Sequence, residues 1–166
     1  GEAIIYGAQH AIDNNTPYIF FASGGGQRMF ESSIALANMT RTTLAINELK
    51  KKKLPYIVCF VDPCAGGITA SFAMLGDVHF SEPGALIAFA GKRVIQATVK
   101  EELSPDFQTA EFLEKHGFVD KIVSRANIRE EIMRLLSILL KKNQSVNSDL
   151  LNETSNNIKS ISKAAS

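Results

Sequence analysis

The stretch FVDPCAGGITASFAMLGD, residues Phe60–Asp77, decides how the rest of the chain is read. It leaves an apolar run, passes a proline and two adjacent glycines, Gly66 and Gly67, and continues in small residues. Glycine adds no packing and loses the most backbone entropy on folding. A pair of them where a strand gives way to a helix implies that something must approach bare backbone. An earlier stretch, FASGGGQRM at Phe21–Met29, repeats the arrangement with Gly24, Gly25 and Gly26.

Working outward, LPYIVCFV (54–61) is a continuous apolar run, the kind of strand buried on both faces of a parallel sheet. YIFFA (18–22) reads as a second such strand. Ile5, Ala8 and Ile12 recur at helical spacing ahead of the helix-ending NNTP. Leu36, Met39, Thr43, Ile46 and Leu49 form the stripe of a long helix. It closes at Lys50–Lys53, where cations suit the C-terminal dipole. A short helix is expected over Ala70–Leu75, then strands at VHFS and ALIAFA. Ser104 and Pro105 carry a helix-start signal. That helix should end at His116-Gly117-Phe118, a glycine C-cap followed by an apolar residue.

FVDKIV (118–123) reads as a strand, and Asn127 with Glu130 as a capping box opening a last helix lined by Ile128, Ile132, Leu135 and Leu139. From Asn143 the chain is rich in Asn, Ser and Lys, so a domain over 1–142 and a disordered tail over 143–166 are expected. Strands alternating with helices imply right-handed crossovers and a mostly parallel α/β sheet.

A formal net charge of +1 supplies no field that would argue for nucleic acid or a membrane surface. Two cysteines, Cys59 and Cys64, make neither a disulfide framework nor a four-ligand zinc site, and both read as reduced thiols of a cytosolic protein. No apolar run is long enough to span a bilayer. The opening GEAIIYGAQHAID is already in helical period, as in a piece of a longer polypeptide.

At a strand-to-helix junction the first N–H groups of the helix lack partners, and glycine lets an anionic oxygen come close. Phosphate binding and oxyanion stabilisation both use this. The phosphate loop needs Lys and then Ser or Thr after its last glycine. Here Gly26 is followed by Gln27-Arg28 and Gly67 by Ile68-Thr69. The three spaced glycines of a dinucleotide fingerprint are also missing. Oxyanion stabilisation survives, beside the plainer reading of turn glycines needed only for packing.

ASGGGQRM, the long string LPYIVCFVDPCAGGITASFAMLGDVHFSEPGALIAFAGKRVI and EFLEKHGFVDKIV together resemble the carboxyltransferase β subunit of bacterial-type acetyl-CoA carboxylase. The resemblance covers residues 1 to about 142. It implies the crotonase-like fold, a spiral of ββα units. It also implies transfer of a carboxyl group from carboxybiotin to acetyl-CoA, giving malonyl-CoA for fatty acid synthesis. Biotin would arrive on its carrier protein, and the active site would form with a homologous α subunit in an α₂β₂ assembly, in the cytoplasm or a plastid stroma. Negative charge develops on the biotin ureido oxygen and on the thioester oxygen, and each needs aligned donors.

Carried onto this sequence, Gly24, Gly25 and Gly26 and the pair Gly66 and Gly67 are the candidate backbone donors. Gly91, Lys92 and Arg93 could meet a CoA phosphate at a helix start, or be a solvated helix end. Arg28 pairs with a ligand carboxylate or phosphate, or with an internal carboxylate. GGGQRM is one residue longer than the family's two glycines, small residue and Arg-Met, and Lys92 stands where the family has proline. The family's four-cysteine zinc ribbon is not in this sequence, so zinc is expected only in a region ahead of it.

GGITASFAM also resembles the nucleophile turn of the caseinolytic peptidases, with Ser71 in the serine position. A serine nucleophile needs a base within hydrogen-bond reach. His10, His79 and His116 are the only histidines, and the strand that should carry the base, ALIAFAG, has none. Ser71 then reads as a packing residue. Glu31 and Glu82 form no hydratase-like pair, and Asp62 and Asp77 read as turn residues. A non-catalytic assembly subunit is the remaining alternative.

Overall fold

The computed structural model describes residues 1–26, 28–100 and 102–140, with only the backbone of Met29, Arg93 and Val99. The boundary expected at residue 142 and the tail over 143–166 lie outside the described residues. Within them the chain divides into two units, Gly1–Asn127 and a second beginning at Ile128. The described part of the second is one helix, labelled α5 (Ile128–Leu139).

In the first unit, helix α1 (Glu2–Asn14) leads into strand β1 (Tyr18–Gly24), and helix α2 (Ser32–Lys51) into strand β2 (Tyr56–Ala65). Strands β3 (Val78–Ser81) and β4 (Ile87–Ala88) follow, then helices α3 (Lys92–Val99) and α4 (Ala110–Lys115) and strand β5 (Lys121–Ile122). Every strand pairing is parallel, in the order β1-β2-β3-β5, with β4 also on β2. The first half of β2 pairs with β3 and its last two residues pair with β4. One strand thus serves two successive partners on the same side.

Tyr56, Ile57, Val58 and Phe60 are fully buried, as an apolar run in a central parallel strand requires. Ile46 and Leu49 of α2 and Ile87 of β4 join this core. Asp77, expected only to turn the chain, pins the start of β2: its carboxylate accepts from Tyr56 N at 2.8 Å. Asp62, given the same minor role, lies in β2 and accepts from Leu86 N at 2.8 Å, fastening the approach to β4.

Four expectations change. The helical stripes shift in part: α1 buries Ile4 and Ala11 beside the expected Ala8, and α2 buries the expected Ile46 and Leu49 but Ala35 and Thr42 in place of Leu36 and Thr43, with Leu36 exposed. On α1 the chain passes close to Tyr18, since a Cβ on Gly7 would sit 2.7 Å from the Tyr18 hydroxyl. The helix expected at Ser104 begins at Ala110, where the Thr109 hydroxyl caps Phe112 N at 3.2 Å. ALIAFA and FVDKIV shrink to two-residue strands. Finally, no α-helix follows Gly67. Only turns ending in a single 3-10 turn at Ala73–Leu75 occur there.

Candidate functional site

The site is built by an irregularity between β1 and β2. Register is regular from Tyr18↔Tyr56 to Ala22↔Phe60, and then Gly24 pairs with Cys64. β2 therefore gains residues 61–63 against one in β1, and this bulge carries Gly24–Gly26 alongside Ala65 and Gly66. The two glycine stretches, far apart in sequence, meet. Gly66 has φ +65°. A Cβ there would also lie 3.0 Å from the Cα of Gly26, which leaves no room for a side chain. At Gly25 the reverse holds: a Cβ would meet nothing within 4 Å, so this backbone faces open space.

The Gly66–Gly67 peptide is held through its carbonyl, and the peptide before it through Gly66 N. Gly66 N donates to Ala88 O at 3.0 Å, and Gly66 O accepts from Ala70 N at 3.0 Å. The Thr69 hydroxyl lies 2.9 Å from Gly66 O and 2.7 Å from Ala88 O. In a trans peptide the N–H points opposite to the C=O. Gly67 N–H is therefore turned away from the bonds that hold Gly66 O, and among the described residues it has no partner. Gly66, expected as a donor too, has its N–H committed to Ala88. The free, oriented donor of this pair is Gly67.

Ser71 Oγ donates to Gly67 O at 2.6 Å, so the turns after Gly67 are tied by side-chain as well as main-chain bonds. The anion affinity expected from a helix dipole is thus replaced by one fixed peptide. The same contact answers the hydrolase alternative. Ser71 is buried with its hydroxyl on Gly67 O, and none of its described partners is a histidine. His79 stacks on Phe60, and His116 on Phe112.

Arg28 lines a cleft of about 260 Å³ together with Glu31, Asn38, Ile68 and Phe72. Ile68 follows Gly67 directly, so the cleft runs up to the glycine turns. Among the described residues the Arg28 guanidinium has no ion-pair partner. Phe72 is tied to the core by Tyr56 Oη, which donates to Phe72 O at 3.2 Å, and by edge contact with Phe20.

Gly91 caps the N-terminus of α3, three residues beyond Ala88. Lys92 Nζ, read as a phosphate contact or a solvated helix end, donates to Ser104 O at 2.8 Å. The side chain of Arg93 lies outside what the structure describes. Glu82 is held by Arg125, whose Nη2 donates to its Oε2 at 2.9 Å, and this pairing lowers its pKa. Burial pushes the thiols up, Cys59 to about 12 and Cys64 to about 11. Among the described residues no three His, Cys, Asp or Glu converge as metal ligands, and no helix is long and apolar enough to cross a membrane.

The residues that sequence reasoning missed are Thr69, Ala88 and Gln108. Thr69, three residues past Gly66, carried a local signal, a hydroxyl placed to close a turn. Ala88 and Gln108 carried none, because their role exists only once β4 lies beside β2.

The bulged parallel sheet, with one strand shared by two successive partners, defines a crotonase-like α/β domain. The solved "probable enoyl-CoA hydratase/isomerase" of Mycobacterium abscessus has this fold, with a TM-score of 0.55 at 16% identity over 86% of this chain and 66% of its own. Residues 1–161 match the carboxyl transferase domain, and the chain belongs to that family. It is 65% identical, over its whole length and 53% of the relative's, to the acetyl-coenzyme A carboxylase carboxyl transferase subunit beta of Pelagibacter ubique (strain HTCC1062). The transcarboxylase 12S structure with methylmalonyl-coenzyme A and methylmalonic acid bound aligns with a TM-score of 0.71 at 25% identity, over 81% of this chain and 26% of that one. The chain spans about half the length of the curated relatives it matches.

Proposed function

We propose that this chain forms the acyl-CoA side of a carboxyltransferase that moves a carboxyl group from carboxybiotin to acetyl-CoA, giving malonyl-CoA. The observation that carries the reading is the free Gly67 N–H, held by a peptide whose carbonyl is fixed at Ala70, beside the open backbone of Gly25. Removing a proton from the acetyl methyl group puts negative charge on the thioester oxygen. A donor fixed in advance stabilises that charge without reorganising when it forms, and such a donor is typically worth about 10²–10³ in rate. Gly67 N–H takes this role, and the cleft at Arg28 and Ile68 receives the acyl-CoA. The Arg28 guanidinium pairs with its carboxylate or phosphate oxygens.

Biotin, on a separate carrier protein, supplies the activated carboxyl group when bound. The face at Gly25, where no atom would oppose even a side chain, fits the approach of a planar ureido group, and Gly24–Gly26 offer it backbone N–H groups. Among the described residues no side chain beside the turns is an evident general base. The likeness to a β subunit of acetyl-CoA carboxylase favours acetyl-CoA over a larger acyl group and implies an α subunit as partner in an α₂β₂ assembly, working in the cytoplasm or a plastid stroma.

The experiment is malonyl-CoA-dependent carboxylation of a free biotin derivative, using the full-length polypeptide with and without its α subunit. Activity in the mixture, lost on Gly67→Val, is the expected result. No activity with both chains folded and bound to one another would overturn the reading and leave an assembly role.

A further inference from the structure

We propose that Gln108 is a positioning residue for the glycine turn, gripping β4 so that the Ala88 carbonyl holds Gly66 and leaves Gly67 N–H correctly aimed. The proposal rests on Gly67 being the donor described above. Strand β4 has only two residues, and its pairing to β2 involves Cys64 and Ala65 alone. Gln108 brackets it. Its main-chain oxygen accepts from Ile87 N at 3.0 Å, and its side-chain Nε2 donates to Ala90 O at 2.7 Å. Ala88 lies between these two anchors. Its carbonyl in turn accepts from Gly66 N at 3.0 Å and lies 2.7 Å from the Thr69 hydroxyl.

Two features set Gln108 apart from an ordinary packing residue. It is 7% exposed yet has φ +69°, a left-handed backbone that glutamine rarely adopts. Its Oε1 is buried with no hydrogen-bond partner among the described residues. A leucine or methionine of similar volume would fill the space without stranding that acceptor. The side chain is accounted for by what its Nε2 does at Ala90.

The test uses the full-length polypeptide with its carboxyltransferase partner. In Gln108→Glu, an ionised carboxylate faces Ala90 O with no proton to donate, whereas the protonated acid restores the donor. Burial raises the pKa of such an acid, so the change falls within the working pH range. The expected result is a kcat for Q108E that falls as pH rises, on a limb absent from the wild-type profile. Gln108→Asn tolerates the left-handed backbone but is too short to reach Ala90. It should lose about tenfold or more in kcat at every pH, with KM for acyl-CoA within about twofold. Adding Thr69→Val to Q108N should cost less than the two losses combined, because both act on Ala88 O.

A wild-type pH profile and kcat in Q108E, or a loss confined to KM, would overturn the proposal. Failure of both single variants to fold would also overturn it, by assigning Gln108 to stability alone. A wild-type enzyme that transfers no carboxyl group would refute the carboxyltransferase reading itself and take this proposal with it.

Discussion

Gly66→Ala places one methyl group where the two glycine turns touch, and the structure sets its cost. The new Cβ would lie 3.0 Å from Gly26 Cα. Carbon atoms settle at about 3.5–4.0 Å, so the turns must part by about half an ångström. Gly66 also has φ +65°, where a Cβ costs roughly 1–2 kcal/mol. For a chain of this size each kcal/mol lowers Tm by about 2–4 °C, so strain alone predicts a fall of roughly 2–8 °C. The same displacement moves Gly67 N–H. A misplacement of about 1 Å can cost on the order of 10²-fold, and half of that about tenfold. Thermal unfolding and the carboxyl-transfer assay read the two effects separately. An unchanged Tm together with an unchanged kcat would refute the claim that the turns are packed in contact.

Gly25→Ala should behave oppositely: its Cβ meets nothing within 4 Å, so Tm should stay within about 2 °C while carboxyl transfer falls about tenfold because the methyl blocks approach. Ser71→Ala removes the hydroxyl on Gly67 O and should cost about 0.5–1.5 kcal/mol in denaturant unfolding. Its kcat should stay above about a tenth of wild type, whereas loss of a nucleophile would abolish turnover. Burial holds the His79 pKa below its ordinary value, against the pull of Asp120 and Asp77 and with a smaller push from Lys50. The unfolded chain then takes up the proton first, so this stability is full above about pH 6.5 and is lost as pH falls toward the lowered value. Tm measured against pH should show an acid limb that His79→Gln makes shallower.

How much could be read without the structure depends on how local each feature is. β1, β2 and the long helix α2 were legible because apolar runs and helical period are written into contiguous residues. The exact face of α2 was not, since Ala35 and Leu36 are neighbours that serve a 3.6-residue period equally well. What separates them is packing with residues distant in sequence, which buries Ala35 and leaves Leu36 exposed. The failed start at Ser104 has a similar origin. A cap followed by proline is a true local signal, but the pairing of Leu86 with Thr109 fixes where the chain can begin to coil. The glycines were legible as bare backbone; that Gly66 is spent on Ala88 while Gly67 is free depends on a strand more than twenty residues away.

β2 explains why a packing glycine and a chemical one can stand side by side. Its residues from Tyr56 to Phe60 are buried, and those from Ile57 to Phe60 are regularly paired on both sides. Beyond Phe60 the register shifts, and Asp62 and Pro63 are exposed. The ordered half holds the strand, so the second half can depart from regular pairing without unravelling it. That departure is what offers backbone to a ligand, because a fully paired strand has no N–H to spare. The irregular half still has to be held in one geometry. Only side chains and a short partner strand remain to do that, which is where Asp62, Thr69, β4 and Gln108 converge. Changes in the first half of β2 should therefore act through stability, and changes among these four through the aim of one N–H.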